Sequence, residues 1–195
     1  MNLIQRIEED FENLQVHSDA KGKFMPYLHA LKNKDKPTFE HSTRVAYLGK
    51  DIAEFTHLVP TKTLWLPGLV HDVGKLLISP ETLTKKIGFD EQDMEQMRCH
   101  VEYSCRILMG IADFSAYVSF YHHFFKSRGA YPPEDDFKKI FGSHFDNWSN
   151  GSKVLAMYCG RLIAIADFYD SITTRENDKF SPGKPRLPTT EESKE

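Results

Sequence analysis

Cysteine is scarce in this chain. Cys99, Cys105 and Cys159 are an odd number with no paired spacing, which argues against a disulfide framework and against a thiolate zinc site, leaving reduced, buried thiols as the expectation. Long apolar runs are missing too: no segment approaches the roughly eighteen uninterrupted apolar residues of a membrane span. Residues Met1 to Glu12 lack the positive region and apolar stretch of a secretion signal. A cytoplasmic location and no membrane partner are therefore expected. Charge of one sign is also lacking, since 25 Lys and Arg against 28 Asp and Glu leave a net charge of −3. Without a global basic field no binding of DNA or RNA duplex is expected, and any phosphate binding has to be local. Finally, no useful length of alternating residues with hairpin turn signals competes with helical periodicity.

What is present is helix. The length of 195 residues suits one compact domain, and the patterning predicts an all-α bundle of roughly seven to nine helices. Residues 3–14 and 23–32 read as two short leading helices that end in the lysine-rich turn 33–37. Thr38 is placed to cap a helix with Val45, Leu48, Ile52 and Phe55 on its apolar stripe, and His41 falls on the same stripe. A continuous helix over 61–78, apolar nearly all round, should be central; it carries His71, Asp72 and Lys75 close enough to share one polar spot. Residues 90–109 predict a helix with Met94, Met97, Val101 and Leu108 at helical spacing and His100 beside them. Residues 112–125 predict another, finishing at His122 and His123. The mixed, aromatic stretch 134–151 reads as an insertion over the mouth of the bundle. A last helix over 152–174 has Leu155, Tyr158, Leu162, Ile165, Tyr169 and Ile172 as its stripe, with Asp167 and Asp170 set within it. The expected organisation is a helical leader over 1–36, the main domain over 37–180, and a connector or the start of a further region over 181–195. Thr189 and Glu192 resemble a capping box there.

Nine histidines in the chain make any one of them a weak signal. Their combination is stronger, because His41, His71 with Asp72, His100, His122 with His123, and Asp167 lie on five separate predicted helices in apolar contexts where charge needs a partner. Two divalent ions answer that need: imidazole and carboxylate together suit Fe, Mn or Zn, and one carboxylate can bridge two metals. Asp72 is the natural bridge. Two metals roughly 3.5–4 Å apart can activate a water and clamp a phosphoryl group for in-line displacement, so the chemistry implied is phosphate-ester hydrolysis.

On these residues the sequence resembles the HD superfamily of phosphohydrolases, and more narrowly its HD-GYP branch, over about residues 38–179. His41-Ser-Thr-Arg-Val45 resembles the first-histidine motif and Leu69-Val-His-Asp-Val-Gly-Lys75 the His-Asp motif. His100 matches the isolated third histidine, His122-His123 the double histidine, and Ile165-Ala-Asp-Phe-Tyr-Asp170 the closing aspartate motif. The resemblance implies an HD-domain helical bundle in which His41, His71, Asp72 and Asp167 bind one metal and Asp72, His100, His122 and His123 bind a second, with Fe or Mn preferred. It places Lys75 by the scissile phosphate, so that Asp72 and Lys75 are the catalytic pair. The double histidine favours two metals over one, and Pro37 stands where some HD-GYP proteins carry a glutamate for a third. Asp170 is a candidate to orient a metal ligand through a hydrogen bond, or else simply to cap or solvate the helix surface.

The chain departs from the branch after the double histidine. Where the family carries a glutamate and then Asp-Gly-x-Gly-Tyr-Pro, residues 124–132 read Phe-Phe-Lys-Ser-Arg-Gly-Ala-Tyr-Pro. Lys126, Arg128 and Arg175, with Lys75, are the candidates for substrate phosphates, and Lys179 is a further cation nearby. Tyr131 is a candidate for stacking on a nucleobase or for anchoring its loop. The leading reading is a phosphodiesterase acting on a cyclic dinucleotide such as cyclic di-GMP or on another nucleotide phosphate. A second is a catalytically weak or inactive signalling module that binds a nucleotide or a signalling-protein partner, and the altered loop favours it. A third is an oxygen-using diiron enzyme, since histidine and carboxylate ligands in a helical bundle also serve oxidation.

Overall fold

The computed structural model describes residues 2–124, 131–176 and 187–189, apart from the side chain of Ser18. Among them are nine α-helices, one 3-10 helix and no strand, the all-α architecture that the patterning predicts.

Helix α1 (Leu3–Asn13) opens on a reciprocal cap, in which Asn2 Oδ1 accepts from the Ile4 amide at 2.8 Å and Gln5 Oε1 accepts from the Asn2 amide at 3.1 Å. Its buried residues Ile4, Ile7 and Phe11 are spaced by threes and fours. Phe11 meets Trp65 edge to face at 5.1 Å, so this first helix shares the core of the rest. Helix α2 (Ser18–Lys34) is longer than the expected 23–32, because its polar first turns lie at the surface and no apolar stripe announces them. The lysine-rich turn shrinks to the single residue Asp35, whose Oδ2 accepts from the Thr38 amide at 3.3 Å and caps α3 (Lys36–Thr56) in place of Thr38. Pro37 fits the first turn of that helix, where its fixed φ is helical and its missing N–H leaves no partner unmade. On α3 the buried residues include His41, Val45, Ala46, Gly49 and Ala53; Phe55, expected on the stripe, points to solvent.

The continuous helix expected over 61–78 is interrupted. Helix α4 (Lys62–Val70) is central, with Leu64, Trp65, Leu69 and Val70 buried, but it stops at His71 and the chain tightens into a 3-10 helix over Val73–Leu77. The cause is Gly74. Its amide donates to Ser104 Oγ at 2.8 Å, and a Cβ there would collide with the His100 carbonyl and the Ser104 amide nitrogen. The tighter turn holds the backbone against α6 (Glu91–Leu108) at a distance an α-helix bearing a side chain would not allow. Lys34 Nζ seals the far end, donating to the carbonyls of Leu76 and Ile78 at 2.6 Å each. The changed phase turns Leu77 outward. A short α5 (Pro80–Thr84) leads into α6.

Helix α7 (Asp113–Tyr121) and α8 (Asp136–Phe141) form an aromatic layer. Phe137 lies 5.0 Å from Tyr117 and 5.1 Å from Phe120, while Phe145 and Trp148 also pack on Tyr117. The stretch 134–151 therefore covers α7 and not the mouth of the bundle, because its aromatics find apolar partners on that helix.

The last helix, α9 (Asn150–Thr174), buries Ala156, Cys159, Gly160, Ile163, Ala164, Ala166, Asp167 and Asp170. Apart from Leu162, which rests in part on the core, the expected stripe of larger residues faces away from it. Close approach explains the choice: a Cβ on Gly160 would lie 2.7 Å from Tyr121 Cβ and 3.0 Å from the Val118 carbonyl of α7, and Ile163 Cδ1 fits 3.3 Å from where a Cβ on Gly49 of α3 would stand. Small residues let three helices pack closely, and that side carries the two aspartates inward.

Candidate metal centre

Five imidazoles and two carboxylates meet at the middle of this packing. His41 comes from α3, His71 and Asp72 from the break after α4, His100 from α6, His122 and His123 from the end of α7, and Asp167 from α9. All but His123 are buried. His41 Nε2 lies 2.9 Å from Asp167 Oδ1 and 3.6 Å from Asp72 Oδ2, and His71 Nε2 lies 3.6 Å from the same Asp72 oxygen. The other oxygen of Asp72, Oδ1, is 3.2 Å from His100 Nε2. That nitrogen is in turn 3.4 Å from His122 Nε2 and 3.3 Å from His123 Nε2. Asp72 thus divides the cluster, one oxygen towards His41 and His71 and the other towards His100.

The imidazoles are held by their other nitrogens. His71 Nδ1 is 2.8 Å from the Gly68 carbonyl, His100 Nδ1 is 2.5 Å from the Met97 carbonyl and His122 Nδ1 is 2.6 Å from the Ser119 carbonyl. Each acceptor lies three residues earlier; for His71 and His122 it is a carbonyl left over by a helix end. His41 Nδ1 instead meets Asp170 Oδ2 at 2.6 Å. A carbonyl or carboxylate can only accept, so in all four rings Nδ1 carries the proton and Nε2 presents its lone pair to the cluster. The Nε2 atoms of His41 and His71 are buried and make no hydrogen bond among the described residues. Orphaned lone pairs beside two carboxylates are costly unless a cation satisfies them, and nitrogen with oxygen donors suits a divalent ion. Three groups have ligand atoms all within 4.8 Å of one another: His41, His71 and Asp167; His100, His122 and His123; and His71, Asp72 and His122.

Electrostatics agrees with that fit. Burial holds His71 down to about 4 and His100 down to about 3, and lowers His122 and His123 as well, so the rings are neutral near pH 7. Burial pushes Asp72 upward, but the Lys75 ammonium 2.5 Å away and the imidazoles of His71, His100 and His41 together outweigh it and keep the carboxyl well below the usual range. Asp167, likewise penalised by burial, stays well below its usual range among the imidazoles of His41, His123 and His71. Burial lowers the Lys75 amine against the attraction of Asp72.

A cavity of about 980 Å³ opens above the cluster, with Asp72, Lys75, His100, His123 and Asp167 at its base. Arg175 lines it and brings a guanidinium nitrogen to 3.9 Å from Asp72 Oδ2. Tyr131, also lining it, stacks on the His123 ring at 4.3 Å. Lys126, Arg128 and Lys179 lie outside the described residues. Sequence reasoning missed Arg44, which donates to both oxygens of Asp170 from Nε at 2.6 Å and Nη2 at 3.0 Å; its place one turn after His41 was the available signal. It also missed the far wall of the cavity, where Lys85, Lys86 and Phe89 stand beside Met94 and Met97. The two methionines, expected on the inward stripe of α6, are only half-buried because they line this opening.

Among the described residues no helix is long and apolar enough to cross a membrane. In comparison with known proteins, the chain is 28% identical over 144 residues to the 3'3'-cGAMP-specific phosphodiesterase 3 of Vibrio cholerae serotype O1, covering 72% of this chain and 28% of that protein. It is 25% identical over 179 residues to phosphodiesterase 2 of the same specificity and organism, covering 87% of this chain and 31% of the relative. The chain therefore spans less than a third of the length of these relatives. Among solved structures, the HD domain of the L. monocytogenes phosphodiesterase PgpH shares the fold with a TM-score of 0.52 at 18% identity, over 86% of this chain and 78% of that one. The HD domain family matches residues 38–177, the span that holds every residue of the cluster from His41 to Asp170, and the chain belongs to that family.

Proposed function

We propose that this chain is a metal-dependent phosphodiesterase of the HD-GYP branch, with a binuclear His and Asp centre, acting on a cyclic dinucleotide or another nucleotide phosphate. The carrying observation is the set of four imidazoles that are each anchored at Nδ1 and present Nε2 to two buried carboxylates. A histidine packed for structure alone has no need of a bare, buried lone pair. His41, His71, Asp72 and Asp167 would hold one divalent ion and Asp72, His100, His122 and His123 the other, with iron or manganese preferred. Bound there, the ions supply an activated water and neutralise charge on the attacked phosphoryl group. Asp170 holds the His41 ring in place, and Lys75 stabilises the charge that develops on the phosphoryl oxygens. Arg175, Lys126 and Arg128 bind substrate phosphates, and residues 37–180 form the catalytic unit.

The volume of the cavity suits a nucleotide-sized ligand. The similarity to 3'3'-cGAMP phosphodiesterases supports a cyclic dinucleotide in particular, and makes 3'3'-cGAMP a substrate to try beside cyclic di-GMP. The test is elemental analysis of protein purified and loaded with iron or manganese without oxygen, paired with chromatography of both dinucleotides after incubation. Two metals per chain with linear product are expected. Two metals with bound but intact dinucleotide would favour the signalling-module reading, and no metal after loading would overturn the binuclear phosphodiesterase.

A further inference from the structure

The outer face of α9 carries a row of large apolar residues, most of which the described part of the chain leaves exposed. Leu155 is 38% exposed, Tyr158 39%, Ile165 57% and Tyr169 55%, with Leu162 half-buried between them and resting in part on the core, Ile172 half-buried at the end and Val154 63% exposed at the start. Their spacing is three, four, three, four, three over 155–172. That is the a and d repeat of a coiled-coil seam, sustained for about 25 Å at 1.5 Å per residue. We propose that this face is a homodimer seam, in which α9 packs against α9 of a second copy of the chain.

The choice of occupant rests on three features of the face. The row is complementary to itself: with a two-fold axis between residues 163 and 164, an antiparallel pair sets Leu155 against Ile172 of the second copy, Tyr158 against Tyr169 and Leu162 against Ile165. Every layer is then apolar or aromatic, the self-matching that a two-fold interface requires. Its size fits as well. The exposed side chains offer on the order of 500 Å² of apolar surface, at the upper end of the largest patch on a typical monomer, which is often functional, and more than half of the roughly 800 Å² per partner of a stable interface. Charge excludes the alternatives of anionic character, because Arg161 is the one charged residue on this face between Val154 and Ile172. A single arginine makes neither a nucleic-acid footprint nor the basic border of a helix lying on acidic lipid. The opposite side of α9 holds Asp167 and Asp170 in the cluster, so the seam leaves that centre uncovered, and the inference does not depend on the phosphodiesterase reading.

Light scattering after gel filtration of the full chain, across two decades of micromolar concentration, tests the proposal. The expected result is a mass of two chains for the wild type and of one chain for Ile165→Glu, with helical circular dichroism retained because position 165 faces outward. Tyr158→Asp on the same seam should also halve the mass, and serves if the first variant folds poorly. Phe55→Glu, an exposed apolar position on α3, should leave the dimer intact. A single-chain mass for the wild type throughout would mean that this face is covered by another partner or by none, and would overturn the proposal. So would a dimer that survives both seam substitutions.

Discussion

Asp170 Oδ2 stands 2.6 Å from His41 Nδ1, joining two residues 129 positions apart, while both oxygens of the same carboxylate take hydrogen bonds from Arg44. Burial alone would push Asp170 upward, and the His41 and Arg44 hydrogen bonds hold it below its ordinary range. The carboxylate therefore stays ionised and fixes both the tautomer and the plane of His41. Asp170→Asn should weaken metal retention by about 10–100-fold while leaving the helical signal intact. Titration with a competing chelator measures it, and unchanged retention would remove Asp170 from any role in placing His41.

Asp72 is the residue on which both halves of the cluster depend, since its two oxygens face different imidazoles. Asp72→Ala should abolish metal loading and activity together, read by elemental analysis and product formation. Full activity in this variant would refute the site.

Lys75 touches the cluster through Asp72 Oδ2 at 2.5 Å but adds no lone pair to it while protonated. Lys75→Ala should therefore spare loading and lower turnover, by about a hundred-fold if it stabilises developing charge. Loss of metal in this variant would assign Lys75 to holding Asp72 instead.

Gly74→Ala tests the break after α4. The added methyl has backbone on two sides, the His100 carbonyl and the Ser104 amide, neither of which can swing aside. Overpacking of this kind costs about 3 kcal/mol, read as a lower denaturation midpoint. A stability equal to wild type would mean that α6 and the 3-10 helix are not in the contact described.

Acid should destabilise the metal-free protein in a defined window. His71 at about 4 and His100 at about 3 lie below the ordinary histidine value of 6.5 because of burial. Above pH 6.5 folded and unfolded chains are both neutral at these rings and contribute no pH dependence. Below it the unfolded chain takes up protons that the folded one refuses, and stability falls until the folded rings titrate in turn. The loss for each such ring is about 1.4 kcal/mol per pH unit within the window. Denaturant midpoints of chelator-treated protein between pH 7 and 4 should show this fall, and a flat profile would place the imidazoles in water.

Much of this molecule was legible in its residues. Periodicity predicts the helices, and the apolar setting of His41, His71, Asp72, His100, His122, His123 and Asp167 marks them as one group, because buried polar side chains need partners wherever the fold puts them. Their order along the chain also carries the family resemblance, and the structure brings all seven together. The boundaries were read less well. A cap at Thr38 and a helix through His71 are reasonable from local preference, but Asp35 and the contact of Gly74 with α6 decide otherwise.

The sequence by itself determined which side chains could share a site and that helices would carry them, since both follow from chemistry and spacing along one chain. Only the tertiary structure decided which nitrogen of each imidazole faces the cluster, for that depends on acceptors such as Asp170 brought from another helix. It also decided which side of α9 is inside. An apolar stripe says that a face will be covered but not by what, and here small residues won the interior because only they let α9 approach α3 and α7 closely enough to carry Asp167 and Asp170 inward.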